Sequence, residues 1–344
     1  MTLSVLVTGG AGYIGSHMVK MLAESGIETT VFDNLSQGHR DAVIAGDFIQ
    51  GDLLNKDTIG SVFRKHFDAV IHFAALCYVG ESVYRPLDYY RNNVIGTINL
   101  LDAMRNAGVD TMVFSSSCAT YGIPSAVPIS ENHAQRPINP YGETKLLVEN
   151  ILKDCAYAYN LKSISLRYFN AAGCDPKGVL GERHNPETHL LPLVLHEALR
   201  MLSGGRPEET RLYVYGDDFD TPDGTCIRDY IHVHDLCSAH LLAIDRLFKG
   251  SVAGAEAFNL GNGTGFSVKE VIGAAKRVSG ADIRYNVTER RGGDPPCLVA
   301  SAEKARQVLG WKPEITDLEQ IIETAWNWFK KSNTSWGSSV VIDH

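Results

Sequence analysis

Residues 3–15 read Leu3-Ser4-Val5-Leu6-Val7-Thr8-Gly9-Gly10-Ala11-Gly12-Tyr13-Ile14-Gly15. The apolar run Leu3–Val7 predicts a short buried strand, and the residues from Tyr13 to about Ser25 predict an amphipathic helix. Between them, Gly10, Gly12 and Gly15 satisfy the G-x-G-x-x-G spacing in the strand–turn–helix setting that gives it meaning. Such glycines permit a tight turn, close approach of backbone to a pyrophosphate, and close packing of helix on strand. The helix N-terminus adds free N–H groups and the positive end of the helix dipole. A second strand, Glu28–Phe32, runs into Asp33. A carboxylate there accepts hydrogen bonds from an adenosine ribose and repels a 2′-phosphate, so NAD is favoured over NADP.

Outward from this stretch, short apolar runs alternate with helical patterns. Strands are predicted at Phe48–Gln50, Ala69–Phe73, Thr111–Ser115 and Ser163–Tyr168, and helices at Asp57–Lys65, Pro86–Ala107 and Tyr141–Tyr159. Alternation of this kind implies parallel βαβ units with a ligand crevice at the carboxyl ends of the strands. The fold class is therefore α/β, a Rossmann doubly wound parallel sheet with a smaller C-terminal α/β substrate lobe. Residues 1–170 are read as the NAD-binding domain, with some later segments returning to it, and 171–330 as the lobe. In the lobe, a helix ends near LGWKP at 309–313 and another is predicted over Leu318–Lys330. Residues 331–344 have no clear period and read as a frayed tail.

The chain has 344 residues, 44% hydrophobic and 21% charged, with net charge −8. That acidity, without a basic stripe, argues against a nucleic-acid surface. No apolar stretch approaches the roughly 20 residues of a membrane span, so no membrane partner is expected. The seven cysteines are scattered with no C-x-x-C, which reads as reduced thiols in a cytoplasmic protein. His232 and His234 read as packed histidines lacking a third ligand, and no metal site is expected.

Tyr141 and Lys145 lie four residues apart on one predicted helix face, with Ser117 near the end of the preceding strand. An unperturbed tyrosine, with a pKa of about 10, is a poor base at neutral pH. A cation held close favours the phenolate and pulls that pKa down. Asp52, Phe73, Ala74, Ala75 and Ser115–Ser117 fall at or just beyond strand ends, where they line a dinucleotide cleft.

Ser117, Tyr141 and Lys145 in this setting resemble the catalytic set of the extended short-chain dehydrogenase/reductase family. Within it the chain is similar to the UDP-sugar 4-epimerases acting on UDP-glucose and UDP-galactose. The resemblance runs from Ser4 to about Lys330. It rests on TGGAGYIGSH, FDNLSQGHR, IHFAAL with VGES, SSSCATYG, NPYGETK, LRYFNAAG, DGTCIRDYIHVHDL, NLGNG, RRGGDP and LGWKP. The resemblance implies transient oxidation of the sugar at C4 with tightly bound NAD. Tyr141 would act as base, Ser117 as proton relay, and Lys145 as ligand to the cofactor ribose. It further implies cofactor contacts from Gly9, Gly12, Tyr13, Ile14, Asp33, Asn34, Ser36, Gly38, Asp52, Leu53, Phe73, Ala74, Ala75, Asn92, Ser115, Tyr168 and Phe169. For the nucleotide-sugar it implies Ser117, Asn170, Leu190, Tyr213, Val214, Tyr215, Arg228, Arg291, Asp294 and Leu298. An arginine pair suits a diphosphate because each guanidinium presents a fixed fork of donors. A homodimer, paired through the helices at Pro86–Ala107 and Tyr141–Tyr159, is implied as well.

Related dehydratases carry an Asp-Glu pair after the hydroxyl residue, and related decarboxylases a glutamate. Here Cys118 and Ala119 follow Ser117, which disfavours elimination and decarboxylation. A net oxidoreductase of the same fold is the alternative class. Three departures bear on affinity and substrate. Cys77 stands where many relatives have a lysine reaching the cofactor, implying weaker NAD retention. His189 stands where some have asparagine. Leu298 occupies the position that governs room for a C2 acetamido group and lies between large and small in size. UDP-N-acetylglucosamine or a UDP-xylose/arabinose pentose is thus an alternative substrate.

Overall fold

The first strand is buried at every position, Ser4–Thr8 (β1), which in a parallel sheet requires cover on both faces. The computed structural model describes residues 2–291 and 294–332. β1 pairs in parallel with Glu28–Asp33 (β2) on one side and Ala69–His72 (β4) on the other. Asp47–Gln50 (β3) extends the β2 edge, while Thr111–Ser117 (β5), Lys162–Tyr168 (β6) and the strand Ala255–Leu260 extend the β4 edge. The strand order therefore reverses between β1 and β4. A ligand crevice opens there, at the carboxyl ends of the strands.

Helices Tyr13–Glu24 (α1) and Val233–Phe248 (α8) cover one face. They bury Val5, Val7, Ile71, Ile164 and Leu236 in one core. Lys56–Val62 (α2), Gly96–Asn106 (α5) and Pro140–Tyr159 (α6) cover the other around Leu6, Val70, Met112, Phe114, Leu100 and Val148. A separate core of Leu191, Val194, Val271, Ile322 and Phe329 belongs to the smaller lobe. It is built from Leu190–Leu202 (α7), Val268–Ser279 (α9) and Leu318–Ser332 (α10). Short strands complete the lobe. Ile227–His232 pairs with Asn170–Ala172, Gly265–Ser267 and Cys297–Leu298, and Tyr213–Tyr215 pairs with Asn286–Thr288.

Two elements differ from the sequence pattern for visible reasons. β5 runs two residues past Ser115, because Ser115–Ser117 stay in register with Leu166–Tyr168 and all three are buried. The expected helix at 86–107 is interrupted by a π-helical turn, Tyr90–Ile95. Within that turn Asn93 Oδ1 accepts from Leu76 N at 2.8 Å, and Asn93 Nδ2 donates to Leu76 O and to Thr144 Oγ1. Such bulges re-aim side chains inside an otherwise regular helix. The tail expected at 331–344 lies, from residue 333, outside the described residues.

Behind the end of β5, Glu149 of α6 and Arg167 of β6 form an ion pair whose side chains are only 2% and 4% exposed. Arg167 Nε donates to Glu149 Oε1 at 2.8 Å, and Ser116 and Gln135 donate to the same carboxylate. Burial alone would raise the Glu149 pKa, but the Arg167 guanidinium and these donors hold it below the usual range. Removing one partner strands the other charge without solvent, which costs about 3–5 kcal/mol. Glu149→Gln should therefore lower unfolding free energy by about that amount in urea denaturation. A loss under about 1 kcal/mol, the size seen for exposed pairs, would contradict the assignment.

Candidate functional site

α6 begins where its sequence dictates. Asn139 caps it by accepting from Gly142 N at 2.8 Å, and Pro140 occupies the first helical position. Tyr141 follows in the first turn, at the positive end of the helix dipole. A β-carbon on Gly142 would stand 2.4 Å from Ala119 O. Only glycine therefore lets α6 close onto Cys118–Thr120, the turn that leaves Ser117. Ser117 Oγ accepts from Ala119 N at 3.1 Å, fixing that turn. Asn93, through Thr144, ties the same helix to the chain at Leu76.

Lys145 does not reach across to the phenol. Its ammonium donates to Ser115 O at 2.8 Å and lies 5.0 Å from the Phe114 ring centroid and 5.8 Å from that of Tyr141. Burial pushes Lys145 down to about 8, against the raising effect of Cys77 and Glu149. Burial also pushes the Tyr141 phenol up, as do Cys77 and Cys118, and only Ser117 pulls it down. The spacing of four suggests a side-by-side pair, whereas the structure turns the lysine onto β5. The protein alone thus keeps Tyr141 protonated.

The glycine turn has the shape a dinucleotide requires. Gly9 has φ +74°, and a β-carbon there would stand 2.5 Å from Ala74 N. One on Gly15 would stand 2.2 Å from Gly9 O. A β-carbon on Gly12 would meet only Gly9 O, at 3.4 Å, so that side of the turn is open to a ligand. Gly12 carries no capping side chain and no acid occupies the first turn of α1, leaving its amides to an anion. Asp33 accepts from Ala11 N and Leu35 N, one bond per carboxylate oxygen. Asn34 donates to Asp52 at 3.1 Å and accepts from Ser36 N, which shapes the loop where Gly38 packs on Ala11. Leu53 O accepts from Asn99, and Phe73 N and Ala74 N both donate to Thr8 O. Tyr168 donates to Ser115 Oγ beneath Lys145. Asn92 donates to Asn93 in the π-helical turn. The donors, the acid and the open glycine face fit a dinucleotide.

On the lobe side, Arg228 donates to Pro295 O at 2.8 Å and lies 3.6 Å from Asp294. Arg291 bonds Asp294 at 3.1 Å and stacks 4.7 Å over Tyr215. Tyr213 and Tyr215 are part-exposed while Val214 between them is buried. Leu298 pairs in register with Arg228 and, like Cys118 of the Ser117 turn, packs against the cluster of Tyr121, Ile129, Phe169 and Ala300. Asn170 opens the strand after Phe169, and Leu190 is the first residue of α7. His232 caps α8 by accepting from His234 N at 3.1 Å and pairs with Thr324.

The segment at 173–189 packs against the cofactor side. Tyr13 donates to Gly173 O at 2.6 Å, Arg183 bonds Asp41 at 3.0 Å, and His39 bonds Arg183 O at 3.2 Å. Sequence reasoning missed Asn93 as the tie to α6. It also missed a charged group in this segment, formed by Glu182, His184, Glu187 and His189. Burial opposes the charged state of Glu182, His184 and His189. Their mutual attraction overcomes it, lowering Glu182 and raising both histidines.

Residues 5–261 match the model of the "NAD dependent epimerase/dehydratase family". The chain is 51% identical to "UDP-glucose 4-epimerase" of Halalkalibacterium halodurans over 330 residues, 96% of each chain. It is 52% identical to the protein of the same name from Streptococcus mutans, covering 95% of this chain and 96% of that one. The crystal structure of UDP-glucose 4-epimerase from Brucella ovis in complex with NAD superposes with a TM-score of 0.88 at 50% identity. That match covers 94% of this chain and 98% of the other.

The depressed Lys145 generates a pH prediction. Folded Lys145 is charged below about 8 and neutral above it. NAD affinity of the cofactor-free protein should be flat below pH 8 and fall with rising pH above it, by up to about tenfold per unit for one proton. Fluorescence titration of NAD measures this. A flat profile to pH 10, or the same fall in Lys145→Met, would remove Lys145 from the binding site.

Proposed function

We propose, for a chain that belongs to the NAD dependent epimerase/dehydratase family, the reversible conversion of UDP-glucose to UDP-galactose at C4. The enzyme is an isomerase with NAD as its cofactor. The observation that carries the mechanism is the convergence of Ser117 and Tyr141 across the Gly142–Ala119 contact, with Cys118 and Ala119, neither an acid, following Ser117.

Gly9, Gly12, the amides of Tyr13 and Ile14, and Asp33 would hold the dinucleotide, and Lys145 would hold one of its riboses. When bound, NAD supplies a reversible two-electron acceptor and a positively charged ring. That charge offers Tyr141 the stabilisation Lys145 does not give directly, and the α6 dipole adds to it. Tyr141 then takes the proton of the C4 hydroxyl, and Ser117 holds the same oxygen and relays the proton. Arg228 and Arg291 grip the diphosphate, which leaves the sugar anchored at one end and free to present either face. Cys118, Phe169 and Leu298 wall the sugar with no group able to remove a C5 proton, so the ketone formed at C4 returns to an alcohol. Residues 1–170 serve the cofactor and 171–330 the nucleotide-sugar.

Leu298 supports a second activity. Its side chain is shorter than a tyrosine and packs on the same cluster as the small Cys118, which favours an acetamido group on C2.

A homodimer explains the outer face of the helices beside the site. Val83, Tyr84, Leu87, Ile95 and Ile98 of the 79–106 segment are 39–87% exposed, and Tyr157 and Tyr159 of α6 are 95% and 51% exposed. Apolar side chains so grouped mark an association surface. All seven cysteines are free, which suits the cytoplasm. Among the described residues no helix is long and apolar enough to cross a membrane.

Purified protein given UDP-glucose without added NAD should yield UDP-galactose by NMR with no accumulation of NADH. Tyr141→Phe should cut kcat by about 10²–10⁴-fold while NAD stays bound. Net NADH, or full activity in the variant, would refute the mechanism. UDP-N-acetylglucosamine assayed alongside should be turned over, and Leu298→Tyr should remove that activity selectively. Tyr84→Glu with Leu87→Glu should convert a dimer to a monomer in sedimentation velocity; a wild-type monomer would refute the pairing.

A further inference from the structure

The irregular segment between Gly181 and Leu190 brings four ionisable side chains to one point. The nearest ligand atoms of Glu182, His184, Glu187 and His189 all lie within 4.8 Å of one another. His184 Nδ1 stands 3.4 Å from Glu182 Oε1 and 3.5 Å from Glu187 Oε2. His189 Nδ1 stands 2.6 Å from Glu182 Oε1 and 3.8 Å from Glu187 Oε1. A tetrahedral ion with bonds of about 2.1 Å sets its ligands roughly 3.4 Å apart, so three of these four histidine–carboxylate separations already suit one. The fourth needs to open by less than about 1 Å.

The burial of these groups points the same way. The side chains of Glu182 and Glu187 are 4% and 5% exposed, and that of His184 is 10% exposed. His184 Nδ1 is buried without a hydrogen-bond partner although it faces both carboxylates. That nitrogen meets neither carboxylate in good hydrogen-bond geometry, and once its proton is displaced its lone pair points between them, as a metal ligand's would. The Tyr78 ring lies 5.9 Å from the His184 ring and 6.4 Å from the His189 ring, and the Tyr13 ring lies 6.4 Å from that of His184. These rings wall the group on the cofactor side and keep its dielectric low. Protonated His184 and His189 balance the two carboxylates in this structure, and a single divalent ion would supply the same two charges by displacing those protons and leaving the imidazoles neutral.

We propose that Glu182, His184, Glu187 and His189 form a binding site for one divalent transition cation, of which zinc is the best fit. Two imidazoles with two carboxylates match that ion's ligand preference, and oxygen-seeking magnesium or calcium would leave the histidines unused. The two histidines pack against the rings of Tyr13 and Tyr78, and the role proposed for the ion is structural. It would pin the 182–189 segment, which Arg183 and His39 already hold to the loop near Asp41. The sequence pattern offered no metal site, because the spacing of these residues follows neither a helical nor a strand period.

The test uses the full chain with its NAD, stripped of metal by chelator and gel-filtered after incubation with Zn²⁺ or Co²⁺. About one equivalent of Zn²⁺ per chain should be retained, and Tm should rise with added Zn²⁺. Co²⁺ should give tetrahedral visible absorption without a thiolate charge-transfer band, since no cysteine is a ligand. Glu187→Gln and His184→Gln should each weaken binding by at least about 10–100-fold, the loss seen when even an outer partner of a metal site is removed. His189→Asn, at the most exposed of the four positions, should do the same if the buried variants do not fold. No retained ion, a thiolate band, or wild-type affinity in His189→Asn would overturn the proposal.

Discussion

Residue 142 has no side chain, and the carbonyl of Ala119 occupies the space one would need. That contact sets the distance between α6 and the turn after β5, and with it the distance between Tyr141 and Ser117. Everything else in the site is arranged around two backbones pressed together. Asn139 and Pro140 start the helix at the right residue, and Asn93 ties it to the strand-end loop at Leu76. The Glu149–Arg167 pair holds α6 to β6 two turns further along. A hydroxyl and a phenol held by packing need no rearrangement when substrate arrives, which is where preorganised sites gain their rate.

The electrostatics of the site are those of a protein waiting for its cofactor. Burial works against both members of the Tyr141–Lys145 pair, raising the phenol and lowering the ammonium. Lys145 keeps its charge at neutral pH, but Tyr141 does not become a phenolate from protein contacts alone. Under the proposed function, a bound cationic ring would change the sum for Tyr141, and ribose hydroxyls would replace lost solvent for Lys145. The chemistry is thus conditional on occupancy.

Much of this was legible in the chain. Gly9–Gly15 and Asp33 announce the dinucleotide turn because their roles are local, settled by φ angles and one helix terminus. The βαβ alternation gives the parallel sheet for the same reason. The resemblance of the motifs named the remaining candidate residues, and the structure brings Arg228, Arg291, Asp294 and Tyr215 into one group from three segments of the chain. What stayed hidden depends on three-dimensional proximity without a period. Asn93 is 17 residues from Leu76 and 51 from Thr144, and its partners exist only once the helix bulges. Lys145 looked like a partner for the phenol because spacing says which face a residue occupies, and not which acceptor its long side chain finds. Four residues at irregular spacing from 182 to 189 belong to no face at all.

The last strand of the large sheet, Ala255–Leu260, pairs with β6 only after the chain has run through most of the smaller lobe's early segments. During synthesis, the outer edge of β6 therefore emerges from the ribosome long before its neighbour does. At about 5–20 residues per second, that edge waits on the order of ten seconds with unpaired N–H and C=O groups facing outward. A bare parallel edge is a template for any other strand, and long-range parallel pairing forms slowly. For that interval the fold leaves the β6 edge open, and only the arrival of Ala255–Leu260 closes it.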